Sequence, residues 1–179
     1  MKLLLFILIG FTLSLKSELN KNQIVVDISE QRLYLIKKDT IIESFPISSS
    51  KYGEGSEENS LKTPLGMHII KEKIGSKAPL NTIFVGRVNT NKTAKIISTL
   101  NDSDDDYVTS RILWLDGLEE GINKGKGVDS FNRNIYIHGT HEEGLIGTKA
   151  SHGCIRMFNN DVIKLYNLIN KGTKVYIKA

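Results

Sequence analysis

The chain has 179 residues, 40% of them hydrophobic and 25% charged, which suits one domain with its own core and excludes a disordered or membrane-spanning composition. Its formal charge of +4, of which Lys2 and Lys16 carry two, argues against nucleic-acid binding and is compatible with an acidic, carboxylate-bearing substrate. With a single cysteine it forms no internal disulfide.

The N-terminus, MKLLLFILIGFTLSLKS, joins a lysine to an apolar run from Leu3 to Leu15. That run has the length of a signal h-region and is short for a bilayer span of roughly 20 residues. The pattern predicts a signal peptide over residues 1–17, cleaved near Thr12-Leu13-Ser14 or Ser17, and export to the periplasm or cell envelope. An uncleaved N-terminal membrane anchor is the alternative. An exported protein that keeps a lone thiol has a use for it.

Residues 22–178 read as one mainly β domain. The β-branched and aromatic runs QIVVDI (Gln23–Ile28), RLYLIKK (Arg32–Lys38) and TIIESFPI (Thr40–Ile47) predict an antiparallel meander. A polar loop covers Ser48–Ser60. Pro64 and Gly66 suit a tight turn that opens a strand at Met67. RILWLDGL, NIYIHG and the closing KVYIKA are further strands. NNDVIKLYNLINKG predicts a helix capped by Asn159 or Asn160, with Val162, Leu165, Tyr166 and Ile169 on one face and Gly172 as its stop. Asp102, Asp104 and Asp106 alternate as in a calcium-binding EF-hand loop, but Tyr107 stands where glycine is required and Leu113 where a glutamate belongs. That segment reads as a solvated loop. His68, alone in a strand, reads as a packed or surface histidine.

Three of the four histidines and the cysteine fall between Ile137 and Met157. A cysteine nucleophile needs a base, because a free thiol near pKa 8.5 is only slightly ionised at neutral pH. It also needs donors for the oxyanion formed on attack at a carbonyl. The Ser151-His152-Gly153-Cys154 run offers both: Gly153 permits a sharp turn, and the N–H groups of Gly153 and Cys154 can converge on one point. His138, at the end of NIYIHG, can present an imidazole to Cys154, with the Gly139 carbonyl fixing its tautomer. Two other readings stand beside this one. A lone cysteine is often a small buried hydrophobe. His138, His141, His152 and Cys154 also have plausible zinc-ligand spacing, although His141, beside Glu142 and Glu143, reads as an exposed loop residue.

Thr63-Pro64-Leu65-Gly66, the strand ending His138-Gly139-Thr140, and Ser151-His152-Gly153-Cys154-Ile155-Arg156-Met157 together resemble the L,D-transpeptidase catalytic domain. That pattern is a histidine, a gap of about 14–17 residues, then Ser/Thr-His-Gly-Cys with Arg or Asn two residues beyond. The resemblance implies a β-sandwich-like fold with one or two short helices, no metal and no cofactor. It implies a peptidoglycan stem tetrapeptide as donor and an amine on a second stem as acceptor. Cys154 would be the nucleophile, His138 the proton donor and acceptor, His152 a supporting group and Gly153 an oxyanion donor through its N–H. Ser151, Arg156, Gly139 and Arg111 would border the substrate, with Arg156 either pairing with a substrate carboxylate or bracing the loop. Hydrolysis of the same thioester would make the protein an L,D-carboxypeptidase. A wall-binding protein with an inert site is the remaining reading, and the expected state is a monomer.

Overall fold

The computed structural model describes residues 22–179, so the signal-peptide expectation lies outside the described residues. Among the described residues ten strands form the fold: β1 (Gln23–Asp27), β2 (Arg32–Lys37), β3 (Thr40–Ser48), β4 (Gly66–Ile74), β5 (Thr82–Val85), β6 (Val88–Thr93), β7 (Val108–Gly117), β8 (Tyr136–Thr140), β9 (Ile155–Met157) and β10 (Lys174–Lys178). An α-helix, α1 (Asn159–Leu168), follows β9, and a 3₁₀ turn covers Glu143–Leu145.

The expected meander is present as β1–β2–β3, paired antiparallel. The sheet order is β4-β10-β1-β2-β3-β9-β8-β7-β5-β6, and β4 also pairs with β7. That extra pairing closes eight strands into a ring, with the β5–β6 hairpin as an appendage on β7. Closure leaves the eight without a free edge and encloses one core. Alternation then sorts the side chains, since neighbours on a strand point to opposite faces. Ile24 and Val26 of β1, Leu33 and Leu35 of β2, and Ile137 of β8 are fully buried in the main core. Val162, Leu165 and Tyr166 of α1 pack into the same core. A smaller cluster on the other face joins Phe84, Ile112 and Tyr136, with Trp114 and Cys154 packed against it.

Strands β5 and β6 are absent from the sequence reading. β6, VNTNKT, is almost wholly exposed and lacks the apolar alternation by which a strand is recognised. The helix also departs from expectation at both ends. Phe158 occupies the N-cap position without a side-chain bond, and Asn159 is buried instead of capping. The helix stops at Leu168, with Ile169 already extended, so Gly172 (φ +88°) serves a later turn whose N–H donates to the Ile70 carbonyl at 2.9 Å.

Candidate active site

β8 and β9 are parallel neighbours, with Ile137 opposite Ile155 and His138 opposite Arg156. Ile137, Ile155 and Met157 face the core. Alternation therefore puts Tyr136, His138, Cys154 and Arg156 on the opposite face, where Cys154 joins the Tyr136 cluster. Two short strands thus bring His138 and Cys154, sixteen residues apart, to one surface. His138 sits in the middle of β8, which runs on to Thr140, and not at a strand end.

The imidazole is buried, and its Nδ1 lies 2.7 Å from the Gly139 carbonyl. A carbonyl only accepts, so Nδ1 carries the hydrogen and Nε2 the lone pair, as expected from the sequence. Burial pushes this imidazole down to about 4, against the pull of Asp106 and of the Gly139 carbonyl. The half-buried Cys154 thiol is pushed up to about 12, again mainly by burial. Its Sγ accepts the Tyr136 N–H and donates to the Asn134 carbonyl, both at 3.4 Å. The resting pair is neutral: a thiol and an unprotonated imidazole.

Gly153 takes φ +121°, a conformation that strains any side chain, and its carbonyl accepts the Thr63 hydroxyl at 3.0 Å. The motif threonine, 90 residues earlier in the chain, thus anchors the cysteine loop. Ser151 is fully buried and spends its hydroxyl within the loop, donating to the Cys154 carbonyl at 2.5 Å and accepting the Gly153 N–H at 3.2 Å. Ser151 is therefore a loop brace and not a substrate contact. The Gly153 N–H expected at an oxyanion is turned to that serine.

Four other expectations need correction. Gly139 faces the helix and not the substrate side: a Cβ there would lie 2.6 Å from Asn159 Oδ1 and 2.8 Å from the Thr109 carbonyl. Arg111 is buried; its Nη1 donates to the Ala78 and Ser110 carbonyls at 2.8 and 2.6 Å, and the guanidinium lies 5.6 Å from the Tyr166 ring. A β-bulge between Thr109 and Ile112 turns it there. His141 is buried, with Nε2 3.0 Å from Ser103 Oγ and its ring 4.7 Å from that of Tyr107. The acidic loop is not merely solvated, because Asp106, although exposed, pairs with both Arg156 and His152.

Asp106 receives Arg156 Nη2 and His152 Nδ1, each at 2.8 Å. Burial opposes its charge, but the guanidinium of Arg156, together with His138 and His152, holds its carboxyl at about 2. Arg156 is 1% exposed and also meets the fully buried Glu142 at 2.9 Å. It braces the loop. His152 is exposed, 5.8 Å from the Tyr52 ring, and its Nδ1 is committed to Asp106. Neither Asp106 nor Glu142 carries a local signal; only the need of a buried arginine for counter-charges hints at them. Asn159 is a second hidden centre. Its Oδ1 accepts the Thr109 and Ser110 hydroxyls at 2.6 Å, and its Nδ2 donates to the Thr140 carbonyl at 2.6 Å and to Glu143 at 2.8 Å. That network ties α1 to the far end of the histidine strand.

The arginine brace has a testable cost. Arg156→Met leaves two carboxylates, one fully buried, without their cation. It is expected to lose about 3–5 kcal/mol in urea denaturation. Pairing it with Glu142→Gln should recover part of the loss. A single-variant loss below about 1 kcal/mol would show that the cluster does not hold the loop.

His138, His141 and His152 each have a different partner, and among the described residues no group of three or more His, Cys, Asp or Glu is placed to hold a metal ion. A protein-family model, the L,D-transpeptidase catalytic domain, matches residues 21–177. The chain belongs to the L,D-transpeptidase catalytic-domain family. A Bacillus subtilis protein provisionally named L,D-transpeptidase YqjB is 47% identical over 53 residues, which cover 29% of this chain and 28% of that protein. Among solved structures, an L,D-transpeptidase from Mycobacterium smegmatis aligns with a TM-score of 0.53 at 14% identity, over 89% of this chain and 59% of that one. L,D-transpeptidase 3 from Mycobacterium tuberculosis, in complex with a faropenem-derived adduct, aligns with a TM-score of 0.54 at 17% identity, over 88% and 60%. These likenesses show a shared fold. The chain spans about a quarter of the curated relative it matches and about three-fifths of the two solved chains. In this L,D-transpeptidase-family domain the motif histidine lies on β8 and the motif cysteine in the bend just before the neighbouring β9, and the other motif residues hold that bend.

Proposed function

We propose that the protein is a peptidoglycan L,D-transpeptidase that acts through a Cys154 thioester. The observation that carries this reading is the placement of His138 on β8 and of Cys154 at the start of the neighbouring β9, on the same face, with Nδ1 of the imidazole locked onto the Gly139 carbonyl. Cys154 attacks the carbonyl of the third residue of a stem tetrapeptide. Nε2 of His138 takes the thiol proton as the C–S bond forms, once the thiol rotates from the Asn134 carbonyl, and returns it to the leaving D-alanine amine. A second stem's side-chain amine then attacks the thioester and forms a 3–3 cross-link. With the Gly153 N–H turned to Ser151, the Cys154 N–H is the loop donor for the oxyanion. The protein works as an exported monomer in the periplasm or cell envelope.

The test is mass spectrometry of products from a disaccharide tetrapeptide incubated with the protein. Cross-linked dimers with released D-alanine are expected. Disaccharide tripeptide alone at high acceptor concentration would make the protein an L,D-carboxypeptidase. No turnover, together with no carbapenem adduct on Cys154, would sink the thioester mechanism.

A further inference from the structure

The two arginines that the sequence offers for a substrate carboxylate are both consumed internally, Arg156 by Asp106 and Glu142 and Arg111 by two carbonyls. The nearby Lys51 is paired with Asp102 at 2.9 Å. Arg133 differs. Its Nη2 donates to the Lys62 carbonyl at 2.7 Å and to Ser60 Oγ at 3.4 Å, and its Nη1 to the Gly55 carbonyl at 3.3 Å. Those three bonds leave two of the five guanidinium N–H groups, and none of them neutralises the charge.

This arginine forms one wall of a cleft of about 190 Å³, together with Asn59, Asn132, Asn134 and His152. The cleft adjoins the nucleophile, since the Cys154 thiol donates to the carbonyl of Asn134. The loop that Arg133 holds also covers Gly153, to which a Cβ would bring the Lys62 and Leu61 carbonyls within 3.3 and 3.5 Å. Burial pushes Arg133 down, and the negative charge of Glu58 opposes that push. Glu58, also on the cleft wall, is the acidic group facing it.

We propose that Arg133 binds the terminal carboxylate of the donor peptide and so selects stems that end in a free D-amino acid. The inference rests on the acyl-transfer reading above. With the scissile carbonyl at Cys154, the carboxylate one residue beyond lies within roughly 6 Å of it, because consecutive Cα atoms are about 3.8 Å apart. The cleft is lined by Asn134, whose carbonyl lies 3.4 Å from the Cys154 Sγ. A guanidinium with spare, partly desolvated N–H groups meets a carboxylate through charge-assisted hydrogen bonds that a neutral amide cannot match.

The experiment compares a tetrapeptide donor ending in D-alanine with the same donor ending in D-alaninamide. Release of the last residue is followed with wild type, Arg133→Lys and Arg133→Met. In wild type, amidation is expected to lower kcat/KM by ~10- to 100-fold. Arg133→Met should show that loss with the free acid and little further loss with the amide, and Arg133→Lys should recover part of it. Alkylation of Cys154 by neutral iodoacetamide, unchanged across the set, reports an intact thiol and loop. Equal rates for acid and amide in wild type would overturn the proposal without recourse to any variant. Retained discrimination in Arg133→Met would overturn it as well. If wild type released the last residue from neither donor, the acyl-transfer reading itself would fail, and the carboxylate site with it.

Discussion

Replacing Cys154 by alanine is expected to abolish donor turnover, a loss on the order of 10⁴-fold or more, while leaving the melting curve close to wild type. Replacing His138 by alanine should cost at least about 10³-fold, because the thiol cannot serve itself. Burial holds that thiol at about 12, so at neutral pH its thiolate fraction is on the order of 10⁻⁵. Burial also holds the imidazole at about 4, which keeps it unprotonated throughout the working range. In the proposed reaction the proton therefore moves as the sulfur attacks, with no preformed thiolate–imidazolium pair. Two pH profiles follow. Wild-type kcat/KM should be nearly flat between pH 5 and 9, with neither group titrating there. In His138→Ala the residual rate should climb about tenfold per pH unit, because only ionised sulfur can then attack. A wild-type profile with an inflection near 6.5 would show that the pair rests as ions, against the neutral arrangement.

The second large effect is on stability. His68 and His138 are both buried, and burial pushes each imidazole from 6.5 down to about 4. His68 is held between the Gly66 carbonyl at 3.0 Å and Ser130 Oγ at 2.9 Å, which makes it the packed and not the surface histidine of the two readings the sequence allowed. In the folded protein both rings stay neutral, whereas in the unfolded chain they take up protons below about 6.5. The unfolded state therefore binds more protons between pH 6.5 and 4, and stability falls as the pH falls through that window. Each ring contributes roughly 3 kcal/mol, so about 6 kcal/mol should be lost between pH 7 and pH 4 in urea denaturation. Asp106, held at about 2, adds its share only lower, from 3.8 downward. His68→Gln should roughly halve the loss. A denaturation midpoint unchanged from pH 7 to pH 4 would rule out buried neutral histidines as the cause.

Much of the site was legible in the primary structure because its chemistry is local. Gly153 precedes Cys154 because the backbone there takes φ +121°, and Gly139 follows His138 because a Cβ there would lie 2.6 Å from Asn159 Oδ1. The strands β1 to β3 were legible for a similar reason. Their alternation of buried and exposed residues is the one that a half-buried strand imposes. Misreadings cluster where a side chain's role depends on a partner far along the chain. His141, between polar neighbours, looks exposed until the 101–107 loop folds over it. Asn159 looks like a helix cap until Thr109 and Ser110, fifty residues earlier, claim its side chain.

Family, strand order of the meander, and the His138–Cys154 pair are thus legible in the sequence itself, because each rests on residue types at short, fixed spacings. The fates of the arginines are not. Arg111 and Arg156 sit near the right strands, yet a β-bulge sends one to buried carbonyls, and Glu142 and Asp106 capture the other. Arg133 has no motif around it, and only folding brings it to the cleft beside the Asn134 carbonyl that holds the Cys154 thiol. Charges find their partners through space, and ring closure of the sheet, not chain proximity, sets which of them meet.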